Sequence, residues 1–269
     1  IFNSSPENLA CVQARLNYYN YNDNFLTRWF ALEYAIWFDS VMKGLERADM
    51  PIPLGGTSNH INTKILRKIG GWDAFNVTED ADLGMRLAQE GYKTVTSDSL
   101  TLEEAPNKVT PWIKQRTRWI KGFIQTYFVH MRSIRKLTKS TGMGGMLSLQ
   151  FFIGIPVLIY LTAPLLLLSG IIMTIDNASF TLPGWISAIC IFNLVYGTVS
   201  HMIMAAIAAS KAKNPKGKRI YKGRLLFSSA TYQFYGLLHV VAAFRALYQL
   251  ITDPHYWDKT THGKAKTGL

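Results

Sequence analysis

Cysteine is nearly absent from this sequence: Cys11 and Cys190 stand far apart and show no metal-ligand spacing. That excludes a disulfide scaffold and a zinc site, and it fits a reducing compartment. Acid is also scarce, with 17 Asp and Glu against 29 Lys and Arg and a formal net charge of +12. A basic excess of this size points to nucleic acid, anionic lipid or a phosphorylated substrate. No internal repeat and no low-complexity tract is present. Charge itself is missing from MLSLQFFIGIPVLIYLTAPLLLLSGIIMTI (146–175). Uncharged apolar runs of that length are rare in soluble proteins, and a bilayer core needs about 20 apolar residues.

What is present divides the chain in two. Residues 1–139 read as an α/β unit and 146–210 as two transmembrane helices, the second being WISAICIFNLVYGTVSHMIMAAIAAS (185–210). Pro156 and Pro164 should kink the first span. DNASFTLPG (176–184), between the spans, has no Lys or Arg, whereas MRSIRKLTKS (131–140) and KAKNPKGKRIYKGR (211–224) are basic. The positive-inside rule puts both basic segments, and the α/β unit with them, in the cytoplasm. The same rule accounts for the main Lys/Arg run without nucleic acid. Segment 225–251 is apolar but carries Gln233, His239 and Arg245 and has basic flanks. An interfacial amphipathic helix is expected there, with a third span as the alternative.

In the α/β unit, LACVQARLNYY (9–19) alternates with the period of a strand. NFLTRWFALEYAIWFDSVMKGL (24–45) reads as a long helix rich in aromatic packing. NTKILRKIGGW (62–72) is a short helix stopped by Gly70 and Gly71, and TEDADLGMRLAQEGY (78–92) is a helix with Thr78 as N-cap and Gly91 as its stop. KTVTSDSLTLEE (93–104) is a strand and a loop. A helix over 110–134 starts with a Thr110 cap and Pro111 at its first position.

Two constellations could carry chemistry. Gln115, Arg118 and Trp119 stand at i, i+3 and i+4 and so share one helix face. Arg binds phosphate oxygens in bidentate fashion, and an indole offers a flat face to a sugar ring. The bland alternative is an interfacial helix with a snorkelling Arg and a headgroup-level Trp. The second constellation is Thr78-Glu79-Asp80. Acids at a helix start are often only dipole partners, but a carboxylate on a rigid helix start can also act as a general base. Asp80 and Asp82 spell D-x-D, yet i and i+2 point apart on a helix, so no metal ligand is assigned.

GGTSNH (55–60), then VTEDADLGMRL (77–87), then QRTRW (115–119), followed at once by apolar helices, resembles the membrane-embedded family 2 glycosyltransferases, the cellulose synthase-like and β-glucan synthase-like enzymes. The resemblance covers residues 1 to about 135 closely. It implies a partial GT-A-type α/β domain over 1–139, followed by transmembrane and interfacial helices. It also implies that Asp80 is the catalytic base of an inverting transfer. Thr78 and Glu79 would shape the acceptor end, and Gly56, Thr57 and Ser58 would form the small-residue loop beside it. Gln115, Arg116, Arg118 and Trp119 would hold the acceptor terminus and the nucleotide diphosphate. The tail 252–269 is similar to a gating loop, with Trp257, Lys259 and Thr260 as its candidates.

The implied partners are a UDP-sugar (UDP-glucose first, UDP-N-acetylglucosamine second), a growing polysaccharide, the lipid bilayer and accessory export subunits, with no nucleic acid. The implied location is a bacterial inner membrane, crossed more than once, with the catalytic domain cytoplasmic. A Mg²⁺ or Mn²⁺ cofactor is expected. Its ligands, and a uridine-binding Asp, belong to an N-terminal nucleotide-binding half that is not found in the sequence. The chain begins at Ile1 rather than Met and is read as part of a longer protein, inactive by itself. The competing function is a non-enzymatic transport or export subunit with a basic cytoplasmic domain. It would need more polar groups in the spans than Asn193, His201 and a few hydroxyls.

Overall fold

The computed structural model describes residues 7–164 and 231–254, with 199, 202–204, 206, 207, 210, 227, 228 and 256 as isolated positions. Trp257, Lys259 and Thr260, the loop 176–184, the basic run 211–224 and most of the 185–210 span lie outside the described residues.

Strand β1 (Leu9–Tyr18) is the middle of a three-stranded sheet of order β2-β1-β3. Nearly every residue of β1 is buried. The polar positions Gln13 and Asn17 also lie inside, and the 55–57 loop bonds Gln13. Strand β2 (Asn59–Ile61) pairs antiparallel, with Cys11 opposite Ile61. Strand β3 (Lys93–Glu103) pairs parallel from Leu9 opposite Lys93 to Tyr18 opposite Glu103, with register shifts after Leu9 and Ala14. It is strand along its whole length, including the part read as a loop, because β1 offers it a continuous ladder.

A parallel pair needs a long crossover, and the chain fills it with helices. Helix α1 (Phe25–Ile36) begins at Asn24, whose side chain accepts from the Thr27 N–H while the Thr27 hydroxyl accepts from the Asn24 N–H. This reciprocal cap satisfies two of the orphan donors at a helix start. The helix widens into a π turn at Trp37–Val41 and resumes as α2 (Met42–Arg47). Phe38, Met42 and Leu45 close over Leu16 and Ile52. Helix α3 (Thr63–Lys68) is capped by Asn62 and stopped by Gly70 and Gly71, both at positive φ. Helix α4 (Glu79–Gln89) buries Leu83 and Leu87 against Ala10, Cys11, Leu54 and Ile65. Full burial of one such leucine contributes roughly 1.5–3 kcal/mol.

Helix α5 (Val109–Arg132) begins earlier than its Thr-Pro pair suggested: Lys108 holds the cap position without a side-chain bond, and Thr110 and Pro111 lie inside the first turn. Proline is tolerated there because first-turn N–H groups have no intrahelical acceptor. Helix α6 (Ile134–Leu149), bent at Gly142 (φ 63°), leads through a π turn at Gln150–Gly154 into helical residues 155–164. Pro156 follows that turn directly. The wider turn relieves the clash between a proline ring and the carbonyl four residues earlier.

Helix α7 (Tyr232–Thr252) lies on α5, with Ala242, Ala243 and Ala246 packed against Ile120, Ile124 and Val157. Its outer stripe of Phe234, Leu237, Val241, Phe244, Tyr248 and Ile251 is exposed. A helix that is apolar on both its packed and its exposed face is unlike an ordinary surface helix. Among the described residues two helices, Ile134–Pro164 and Phe234–Thr252, are long and apolar enough to cross a membrane. Only 22% and 28% of their most apolar windows are buried, unlike the core helices of a soluble domain. The second segment meets the length and composition of a span as well as those of the interfacial helix expected from its charges.

Candidate active site

The loop Gly55–Ser58 is fastened to the central strand by one buried side chain. Gln13 accepts from the Gly55 N–H at 3.1 Å and donates to the Thr57 carbonyl at 2.8 Å. Asn59 donates to the Gly55 carbonyl at 2.8 Å, and the Ala14 N–H donates to the Ser58 carbonyl at 2.9 Å. Ser58 takes a left-handed conformation (φ 57°), and its hydroxyl meets that of Thr101 on β3. This holds the bare backbone of Gly56 against α4, where a Cβ would stand 3.0 Å from Oδ2 of Asp80. The loop residues were read from sequence, but Gln13 was not. Its one signal is a glutamine at an interior register of an apolar strand.

Asp80 lies in the first turn of α4, and its Oδ1 accepts from the Ala81 N–H at 2.7 Å. Burial pushes the carboxyl up to about 6, helped by the charge of Glu79 and opposed by the Ala81 N–H and by Arg118. Glu79 is exposed beside it. Thr78 has another position. It occupies the N-cap but makes no side-chain cap bond. It is buried, and its N–H donates to Asn76 Oδ1 at 3.0 Å, while Asn76 donates to the Thr126 hydroxyl of α5 at 2.7 Å. Gly122 makes room for it, since any Cβ there would overlap the Thr78 side chain. Thr78 is a buried post that docks the start of α4 onto α5.

The QRTRW residues divide by direction around α5. Gln115 is buried, and its Oε1 has no hydrogen-bond partner among the described residues. A buried amide oxygen without a donor is costly, so this oxygen is suited to a ligand hydroxyl. Arg118 is half-buried and close enough to Asp80 to act on its charge. Trp119 is half-buried, with Phe30 and Tyr34 at ring-centroid distances of 6.0 and 6.4 Å. Arg116 faces inward instead. It forms a bidentate pair with Glu33 of α1, with NH1 at 2.6 Å from Oε1 and NH2 bonded to Oε2. The structure thus brings the buried Arg116 to a carboxylate fork on α1. Burial pushes the Glu33 carboxyl up, but Arg116 and then His239 outweigh it and hold the group down at about 2.

A second buried network locks α4. Asp82 accepts from Arg86 Nε at 2.7 Å and meets His130 Nε2 at 3.0 Å, and His130 Nδ1 meets Gln89 at 3.1 Å. Arg86 also donates to the Gly71 carbonyl at 2.7 Å. Burial raises the proton affinity of Asp82, and the bonds from His130 and Arg86 more than reverse it, so the carboxyl stays below its ordinary range. Asp80 and Asp82 therefore face different partners. Among the described residues no three His, Cys, Asp or Glu side chains gather as a metal site would require.

The family model for Glycosyl transferase family group 2 matches residues 2–202, about three-quarters of the chain. The chain belongs to that family. A relative, the probable glycosyltransferase YdaM of Bacillus subtilis (strain 168), is 30% identical over 124 residues. The match covers 44% of this chain and 28% of that relative, so the chain spans under a third of the length of the curated protein it matches. Within this glycosyl transferase family chain, the start of α4 and the middle of α5 are thus brought to one place by Thr78, Asn76 and Gly122, with Asp80 and Arg118 on its open side.

Proposed function

We propose that this chain is the acceptor-side part of an inverting, membrane-embedded hexosyltransferase of the cellulose synthase-like kind. The donor is a UDP-sugar, UDP-glucose first, and the acceptor is a growing polysaccharide delivered into the membrane. One observation carries the reading: Asp80, raised towards neutral proton affinity, stands against the bare backbone of Gly56 and within the field of Arg118. A carboxylate poised near 6 suits a general base at physiological pH. Asp80 takes the proton of the acceptor hydroxyl, whose oxygen bonds to the anomeric carbon as the bond to the diphosphate breaks on the opposite face. Arg118 supplies positive charge on that side, Trp119 a face for the sugar, and Gln115 Oε1 a hydroxyl acceptor.

Transfer from a nucleotide sugar of this class would use Mg²⁺ or Mn²⁺ to offset the charge of the leaving diphosphate. Among the described residues no cluster of side chains would hold such an ion, and no step runs through it. The exposed apolar stripe of α7 and the 134–164 helix, only 22% buried over its most apolar window, support a bilayer setting.

The test is UDP release by the full-length protein in membranes with a panel of UDP-sugars, wild type against Asp80→Asn. Release with one sugar and its loss in the variant supports the reading. Release unaffected by the substitution removes Asp80 from its role.

A further inference from the structure

We propose that Glu33 and Tyr235 are positioning residues that act through Arg116 to fix the indole of Trp119. The inference rests on the reading of Trp119 as the sugar-facing ring.

The Tyr235 hydroxyl is a three-way junction. It accepts from Trp112 Nε1 at 3.0 Å and from Arg116 NH2 at 3.2 Å, and it donates to Glu33 Oε2 at 2.8 Å. Three elements therefore meet on one guanidinium: Glu33 from α1, Trp112 from α5 and Tyr235 from α7. The guanidinium is a rigid plane whose orientation is set once its carboxylate fork and its third acceptor are fixed. Its central carbon lies 4.5 Å from the centroid of Trp119 and 4.4 Å from that of Phe30. The Trp112 and Tyr235 rings stand further off, at 5.3 and 5.9 Å. Trp119 is half-buried and packs against this cation and against Phe30 and Tyr34.

A lysine at 116 would keep the charge but lose the plane and the fork. A phenylalanine at 235 would keep the ring and lose all three bonds. His239, one turn beyond Tyr235, has Nε2 at 3.9 Å from Glu33 Oε1 and adds a second group from α7 behind the carboxylate. An apolar helix more than a hundred residues downstream of QRTRW thus takes part in aiming its tryptophan.

The experiment uses the full-length protein in nanodiscs, with 5-fluorotryptophan incorporated and the Trp119 resonance assigned by Trp119→Phe. Tyr235→Phe is the main variant, and Glu33→Gln and Arg116→Lys accompany it. The expected result is a shifted, narrowed Trp119 resonance in Tyr235→Phe. In UDP-release assays, KM for an added primer oligosaccharide should rise about fivefold or more while donor KM stays within about twofold. A Trp119 resonance unchanged in Tyr235→Phe overturns the inference, and so does a loss confined to kcat. If the wild type releases UDP from no sugar, the proposed function fails, and the fluorine spectrum still decides whether Tyr235 positions Trp119. Should Glu33→Gln not fold, Tyr235→Phe carries the test, since it removes a hydroxyl and leaves the ring.

Discussion

Gly56 and Asp80 touch across two elements that are distant in sequence: a Cβ at position 56 would stand 3.0 Å from Oδ2 of the carboxylate. Gly56→Ala should therefore act on the carboxylate before it acts on the fold. The methyl would displace Asp80 by a few tenths of an ångström and remove water from it. UDP release is expected to fall about 10- to 100-fold, because sub-ångström misplacement of a reacting group has effects of that order. Thermal melting should be almost unchanged. A melting point lowered in step with activity would make Gly56 a packing residue only.

Asp80 gives a pH signature of definite sign. Its folded value of about 6 lies above the unfolded value of about 3.9. The folded state therefore holds the proton more tightly, and this contribution to stability is complete below about pH 4 and is lost as pH rises through 6. Asp80→Asn should be more stable than wild type at pH 7.5 and close to it at pH 4, while its transfer rate falls about 10²- to 10⁴-fold. In the wild type the rate should decline on the acid side with a midpoint near 6. A flat rate between pH 5 and 7.5 would remove Asp80 as the base.

Glu33 has the opposite sign. Its carboxyl is held at about 2, below the unfolded value of about 4.3, so its contribution is present above pH 4.3 and is lost as pH falls towards 2. Glu33→Ala leaves the buried Arg116 charge without its partner and should destabilise the fold by about 3–5 kcal/mol. Replacing the pair together, Glu33→Leu with Arg116→Met, should restore much of that stability without restoring acceptor affinity. Denaturant midpoints of the wild type and the two variants measure this directly. A double variant as unstable as the single one would show that packing, not charge, dominates there.

Gly122→Ala sets helix propensity against a steric clash. Alanine in a helix interior gains about 1 kcal/mol over glycine. Here its Cβ would overlap Thr78, whose backbone and hydroxyl are both committed to the α4–α5 joint. A net loss of about 1–3 kcal/mol is expected, with lower activity because the start of α4 carries Asp80. A stabilised Gly122→Ala protein would mean that the joint is loose.

The sequence displayed what local chemistry dictates. Gly70, Gly71 and Gly91 ended their helices as read, and the Thr-Glu-Asp stretch opened one. What it concealed depended on tertiary partners. Helical spacing groups Gln115, Arg118 and Trp119, but nothing local says that Arg116 meets Glu33, a residue 83 positions away. Gln13 stands in an alternating strand, and nothing local says that it fastens the 55–57 loop. Thr78 looked like a cap because its residue type suits one, and its burial against Gly122 gave its hydroxyl other neighbours.

The clamp on Asp82 has a mechanical consequence for its neighbour. Successive residues turn about 100° around a helix, so Asp80 and Asp82 project about 200° apart. Asp82 is gripped by Arg86 and His130 on the inner side. That grip sets the azimuth of α4 about its own axis, and with it the bearing of Asp80. A small roll of the helix would swing the carboxylate off Gly56 without breaking any backbone hydrogen bond. The inward carboxylate resists that torque, so the aim of the outward one depends on a residue it never touches.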